Sequence, residues 1–187
     1  MRSLLAQIIS FIVDCVVWVF LIRLLLQLVK ADFRIPLLQS IIRLTNPIIR
    51  PLRKTLPAIG PVDTASLLMA MVSRAAGILL TAVILGQTIP TGPALLAATA
   101  VLLAHEVLTF LLFAVILWAV LSWITTDTYS PAGRLIGTVV EPLLRPIRRL
   151  LPRLEGLDLA PLLLSALLLL LLKLLNQLSV QLPVWIG

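Results

Sequence analysis

Asn46-Pro47-Ile48-Ile49-Arg50-Pro51-Leu52-Arg53-Lys54-Thr55-Leu56-Pro57 is written twice in this chain. The second copy, 95 residues further on, is Glu141-Pro142-Leu143-Leu144-Arg145-Pro146-Ile147-Arg148-Arg149-Leu150-Leu151-Pro152. The shared frame is Pro, two aliphatics, Arg, Pro, an aliphatic, Arg, a basic residue, any residue, Leu, Pro. At the same offset Asp32 meets Asp127, Pro36 meets Pro131, Asp63 meets Asp158, Ala65 meets Ala160 and Leu67 meets Leu162. So many specialised residues in one ungapped register mark an internal duplication. The units divide into a first repeat over 1–92 and a second over 93–187.

Each copy of the segment lies between two long apolar stretches. The four stretches are Leu4 to Val29, Ala65 to Ile89, Ala94 to Ile124 and Leu159 to Leu182. Each suffices for a hydrocarbon core of about 30 Å, which takes roughly 20 helical residues. The remaining composition agrees, since 60% of the residues are apolar and the mean hydropathy is +1.13, well above a soluble domain. The expected fold is an all-α integral membrane protein of four transmembrane helices, arranged as two parallel tandem repeats. Two spans per unit return the chain to its starting side, so the copies share one orientation, related by a pseudo-two-fold along the membrane normal with space for a cavity between them. The first stretch holds Asp14 and Arg23 and no small-residue cleavage site, so it reads as a retained helix rather than a signal peptide.

Eleven of the 15 Lys and Arg residues fall between Lys30 and Lys54 or between Arg134 and Arg153, whereas the connection from Gly86 to Pro93 carries no charge. The positive-inside rule then makes both basic loops cytoplasmic and both termini external. It also accounts for the net charge of +7 without nucleic acid as a partner. The lone cysteine, Cys15, rules out an intrachain disulfide.

Inside the first loop Leu37, Leu38, Ile41, Leu44, Ile48 and Leu52 recur at three- and four-residue steps, with Gln39, Arg43, Arg50, Arg53 and Lys54 on the flanks. This spacing predicts an amphipathic helix in the membrane interface, over about 36–57 and again over about 131–152. Prolines 47, 51 and 57 are expected to break it into short pieces, because each lacks an amide donor and restricts its predecessor. Asp63 and Asp158 stand where they could cap the second span of each unit.

Laid out this way, the chain resembles the YggT family of small bacterial membrane proteins, which has relatives in plastids. The resemblance rests on Asp32-Phe33, Asn46 to Arg53, Leu56-Pro57-Ala58-Ile59-Gly60-Pro61-Val62-Asp63 and the echo of these in the second half, where Glu155-Gly156 replaces Gly60-Pro61. It implies residence in the bacterial inner membrane and a two-repeat design; the termini, external by the positive-inside rule, are then expected on the periplasmic side. It also implies a link to osmotic and salt tolerance, or to membrane-complex assembly and nucleoid distribution in plastids. It carries over no catalytic or ligand residues.

Ionisable residues at bilayer depth are costly and seek partners. The chain places Asp14 in the first span, Arg74 in the second, His105 and Glu106 in the third, and Lys173 in the fourth. Counting heights at about 1.5 Å per residue from Asp32, Asp63, Asp127 and Asp158 levels Asp14 best with Lys173. That pair is expected to cross the repeat interface, as a register-fixing ion pair or as part of an ion pathway. Arg23, nearer the edge, is read as a headgroup anchor. Small residues Ser73 with Gly77, and Ala100 with Ala104, predict close helix packing.

No phosphate loop, metal-ligand helix or nucleophile elbow occurs; no cofactor or metal is expected, and no enzymatic activity. The function expected is a scaffold or assembly factor that grips anionic lipid and partner membrane proteins through Arg43, Arg50, Arg53, Lys54, Arg145, Arg148 and Arg149. The alternative is a small oligomeric channel or transporter for osmotic adaptation, with Asp14, Arg74, Glu106 and Lys173 along its path.

Overall fold

Among the described residues six helices follow one another: α1 (Arg2–Leu28), α2 (Pro36–Thr55), α3 (Thr64–Leu85), α4 (Gly92–Ile124), α5 (Pro131–Leu150) and α6 (Ala160–Val180). The computed structural model describes residues 1–29, 36–124, 131–150 and 158–180. Asp32, Asp127, Glu155, Gly156, Leu182 and Trp185 lie outside the described residues. Helices α1, α3, α4 and α6 are each long and apolar enough to cross a bilayer, and the chain is a multi-pass membrane protein. Their outer faces carry large apolar side chains, such as Phe11 at 68% exposure and Leu162 at 66%, which only a lipid solvent makes inexpensive.

Within each repeat the two spans pack on each other, α1 on α3 and α4 on α6, and α3 on α4 joins the repeats. The duplication reappears in the cores. Phe20, Ile49 and Ala65 meet in one cluster, and their mates at the 95-residue offset, Val115, Leu144 and Ala160, meet in another. A third cluster of Leu26, Leu38 and Val139 ties α1 and α2 to α5. Gly77 lets α1 and α3 approach closely: a Cβ there would lie 2.6 Å from Val13 Cγ1. Ala100 and Ala104, by contrast, face outward from α4 and take no part in the packing predicted for them.

The prolines do not fragment the connecting helices. α2 runs unbroken through Pro47 and Pro51, and α5 through Pro142 and Pro146. Each pair is spaced i, i+4, so the missing donors fall on one line of the helix, and all four prolines are exposed. The carbonyls they leave without an amide partner therefore lie on the side that solvent or headgroups can satisfy. After α2 the chain reverses at Ile59-Gly60-Pro61-Val62, closed by mutual amide-to-carbonyl bonds of Ile59 and Val62. Gly60 holds φ +59 there, a left-handed value that glycine adopts without strain. The turn delivers Asp63 to the base of α3.

Candidate functional site

Three groups of charged residues stand out, one inside the bundle and two at the bases of the repeats. In the bundle, Arg74 of α3 donates from Nη1 to Asp14 Oδ1 of α1 at 2.8 Å, and its Nη2 pairs with Glu106 of α4. Arg74 and Glu106 are buried, while the Asp14 side chain is 45% exposed. The acid of one repeat thus meets the base of the other through Glu106 and Arg74. Lys173 stands exposed on α6, so the expected Asp14 to Lys173 pair is replaced by Asp14 to Arg74. The height count misjudged this because it started from Asp32. The contact between Arg23 and Asp63 supplies the proper zero: Asp14 then lies nine residues, about 13 Å, from the base and Arg74 eleven residues, about 16 Å. A cavity of about 1020 Å³ runs from this triad to the α3–α4 turn at Gly86, Gln87 and Pro90, and His105 and Trp18 also line it. Trp18 packs on Phe110 with ring centroids 5.8 Å apart.

At the base of the first repeat, Asp63 is wholly buried. Its carboxylate accepts from Ser66 Oγ at 2.6 Å, from Arg53 Nη2 at 2.7 Å and Nε at 3.3 Å, and from Arg23 Nε at 3.4 Å. Arg23 also donates to Thr45 Oγ1 and, at 3.2 Å, to Asn46 Oδ1. One carboxylate thereby fastens α1 and α2 to the start of α3. Asp63 occupies the capping position of α3 but makes no side-chain cap bond, because the arginines and Ser66 take its oxygens. Burial alone would raise its carboxyl. The hydrogen bonds from Arg53 and Ser66 and the charges of Arg53 and Arg23 outweigh that and hold it below the usual carboxylate range. Arg23 is therefore not a headgroup anchor: it is 6% exposed and committed inside the protein.

The second repeat solves the same problem with different residues. Arg148, the mate of Arg53, pairs with Asp158 at 2.7 Å and with Glu141 at 2.8 Å. Burial disfavours its charge, but hydrogen bonds from it to Asp158 and Glu141 and their charges raise its pKa overall. Asp158 also accepts from the Ala160 amide at 3.1 Å, so here the acid does cap its helix. Trp118 stands where the first repeat has Arg23, Glu141 where it has Asn46 and Gly137 where it has Ile42. These exchanges belong together. Losing Arg23 removes a cation, Glu141 gives Arg148 a second anion, and Gly137 clears space for the indole of Trp118, whose Cζ3 lies 2.9 Å from where a Cβ would be. The role of Arg23 was legible only in this comparison of the copies.

The seven basic residues singled out in the loops therefore divide. Arg53 is held by the buried Asp63, and Arg148 by the partly exposed Asp158 and Glu141, the latter also 3.8 Å from Arg145. Arg43, Arg50, Lys54, Arg145 and Arg149 are exposed. On α2, Arg43, Arg50 and Lys54 fall within an arc of about 40° at 100° per residue, beside Leu44 at 70% exposure and Ile48 at 45%. On α5 the mate of Leu44 is Val139, which is buried.

Comparison with known proteins places this architecture. The CCB3/YggT family model matches residues 2–84 and again 97–179, two segments offset by the same 95 residues as the sequence repeat. An uncharacterised protein of Pseudomonas aeruginosa is 38% identical over 144 residues, covering 76% of this chain and 73% of its own. The uncharacterised protein YggT of Escherichia coli K12 is 33% identical over 164 residues, 88% of this chain and 85% of its own. An uncharacterised protein of Vibrio alginolyticus is 34% identical over 157 residues, 83% and 84% of the two chains. No solved structure matches significantly.

Proposed function

The chain belongs to the CCB3/YggT family, and from that premise we propose that it is a non-enzymatic scaffold of the bacterial cytoplasmic membrane that grips anionic lipid with its basic helices. In this reading α2 and α5 lie at the cytoplasmic surface, where the positive-inside rule puts their arginines. The observation that carries it is the division of the cations. Arg53 and Arg148 are consumed in fastening each repeat, while Arg43, Arg50 and Lys54 form an exposed row on α2 next to exposed Leu44 and Ile48. A row of cations beside large apolar side chains suits the boundary between headgroups and acyl chains. Each cation contributes about 1 kcal/mol near an anionic surface, so the row contributes about 3 kcal/mol, roughly a hundredfold in affinity. α5, with Arg145 and Arg149 exposed but Val139 buried, contributes charge more than insertion. Partner membrane proteins would dock on the same surface.

Native mass spectrometry of the purified protein with added phosphatidylglycerol tests this. Neutralising Arg43, Arg50 and Lys54 together to Gln should cut lipid retention by one to two orders of magnitude while leaving phosphatidylcholine retention unchanged. Equal phosphatidylglycerol retention in wild type and triple variant refutes the reading.

A further inference from the structure

The cavity beside the α3–α4 turn is lined by groups that lipid binding at the surface does not use. At its floor two carboxylates share one guanidinium, which leaves the triad of Asp14, Arg74 and Glu106 with a formal charge of −1. Glu106 is 9% exposed, and its Oε2 has no hydrogen-bond partner among the described residues. Arg74 Nε is likewise buried without a partner among them. A buried carboxylate oxygen left without a donor at this depth is costly, and with the net charge of −1 on the triad the floor favours a cation that supplies a donor to Glu106.

Size narrows the class. The cavity holds about 1020 Å³, at the upper end of small-molecule pockets and far more than a bare ion fills. Trp18 contributes an indole wall, a surface that attracts ammonium groups. On the side of the basal ion pairs the adjoining space beyond Leu175 is lined by apolar side chains alone, Leu21, Leu103 and Val107 among them, so no polar path leads on. Between Asp14 and Arg23, nine residues or about 13 Å along α1, the buried side chains are Val17, Phe20 and Leu21, which pack with Ala70 and Leu103. The arrangement holds a ligand rather than passing it through.

We propose that this cavity binds a small organic cation, a primary ammonium on a short polar body, with the ammonium donating to the open Asp14 carboxylate and with Glu106 Oε2 and Arg74 Nε, both covered in the free protein, turning to accept from the ammonium and to donate to an oxygen of the ligand. The cavity walls, not the basic helices, carry this binding, so it stands or falls independently of lipid retention.

Calorimetric titration of the full-length protein in zwitterionic nanodiscs tests it, with 4-amino-1-butanol as probe and 1,4-butanediol, 4-hydroxybutanoate and sodium chloride as comparisons. Saturable binding of the amino alcohol is expected, and neither the diol nor the hydroxy acid should bind comparably. Glu106→Gln should weaken the amino alcohol at least about tenfold, the loss of one charge-assisted contact. Because Glu106→Gln also disturbs the triad, Thr109→Phe serves as a second variant that fills the cavity from its wall and leaves all three charges in place. It should abolish binding while circular dichroism stays unchanged. No saturable binding of the amino alcohol overturns the proposal, as does equal binding of the diol or hydroxy acid. Sodium occupying the site at equal concentration and excluding the amine overturns the organic class. Wild-type affinity in both variants overturns the location.

Discussion

Replacing Arg74 by glutamine removes the cation that Asp14 and Glu106 share. The two acids then fare differently. The Asp14 side chain is 45% exposed and lines the cavity, which is large enough to hold water, so its pairing is worth little, about 0 to 1 kcal/mol. The Glu106 side chain is 11% exposed, and stranding a buried charge costs about 3 to 5 kcal/mol. Glu106 therefore dominates the expected loss. Ordinary hydrogen bonds between membrane helices average only about 0.6 kcal/mol, so a loss of several kcal/mol would identify an uncompensated charge rather than a missing contact. The double variant Arg74→Gln with Glu106→Gln restores neutrality at the cross-repeat contact and should cost about 1 to 2 kcal/mol, leaving a coupling energy of at least about 1 kcal/mol in magnitude even where Glu106→Gln alone costs nothing. Unfolding in mixed micelles by increasing dodecyl sulfate, followed by circular dichroism, gives all corners of the cycle. Additive losses in the double variant, or an Arg74→Gln loss below about 0.5 kcal/mol, would refute the reasoning.

Gly77→Ala puts a methyl group 2.6 Å from Val13 Cγ1 and should destabilise the α1–α3 pair by about 1 to 3 kcal/mol by overpacking; the same unfolding assay reads it, and Val13→Ala in combination should recover most of the loss. Asp63 is held below the usual carboxylate range, so its ionised form contributes stability above the unfolded value of about 3.9 and loses it as pH falls through the folded value. The advantage of wild type over Asp63→Asn should accordingly be flat from about pH 7 to pH 5 and shrink below about pH 4, checked by melting curves across that range.

Much of the architecture was legible because it depends on length, apolarity and repetition. Four spans need about 20 apolar residues each, and the prolines and arginines of the two loops carry the register of the duplication in the open. The missing amide donors that make Pro47 and Pro51 read as breaks are tolerated because of the spacing: one turn apart, they fall on a single exposed line. Partner choice was harder to read. Asp14 finds Arg74 rather than Lys173 because helix levels are set by the contact of Arg23 with Asp63, a tertiary fact that counting along each helix from a loop residue does not contain. Arg23 itself looks like any edge arginine until the second copy shows Trp118 and Glu141 at the positions of Arg23 and Asn46. The exposure of Leu44 against the burial of Val139 depends on how α5 meets Leu26 and Leu38, and no periodicity within either helix encodes it.

The proposed orientation, with two parallel repeats and both basic helices on the cytoplasmic face, is tested most directly by impermeant maleimide labelling of intact cells. In a Cys15→Ser background, Gln87→Cys on the α3–α4 turn should react in intact cells, whereas Lys54→Cys and Arg149→Cys should react only after the membrane is opened. Labelling of Lys54→Cys and Arg149→Cys from opposite sides, or of both from outside, would contradict it.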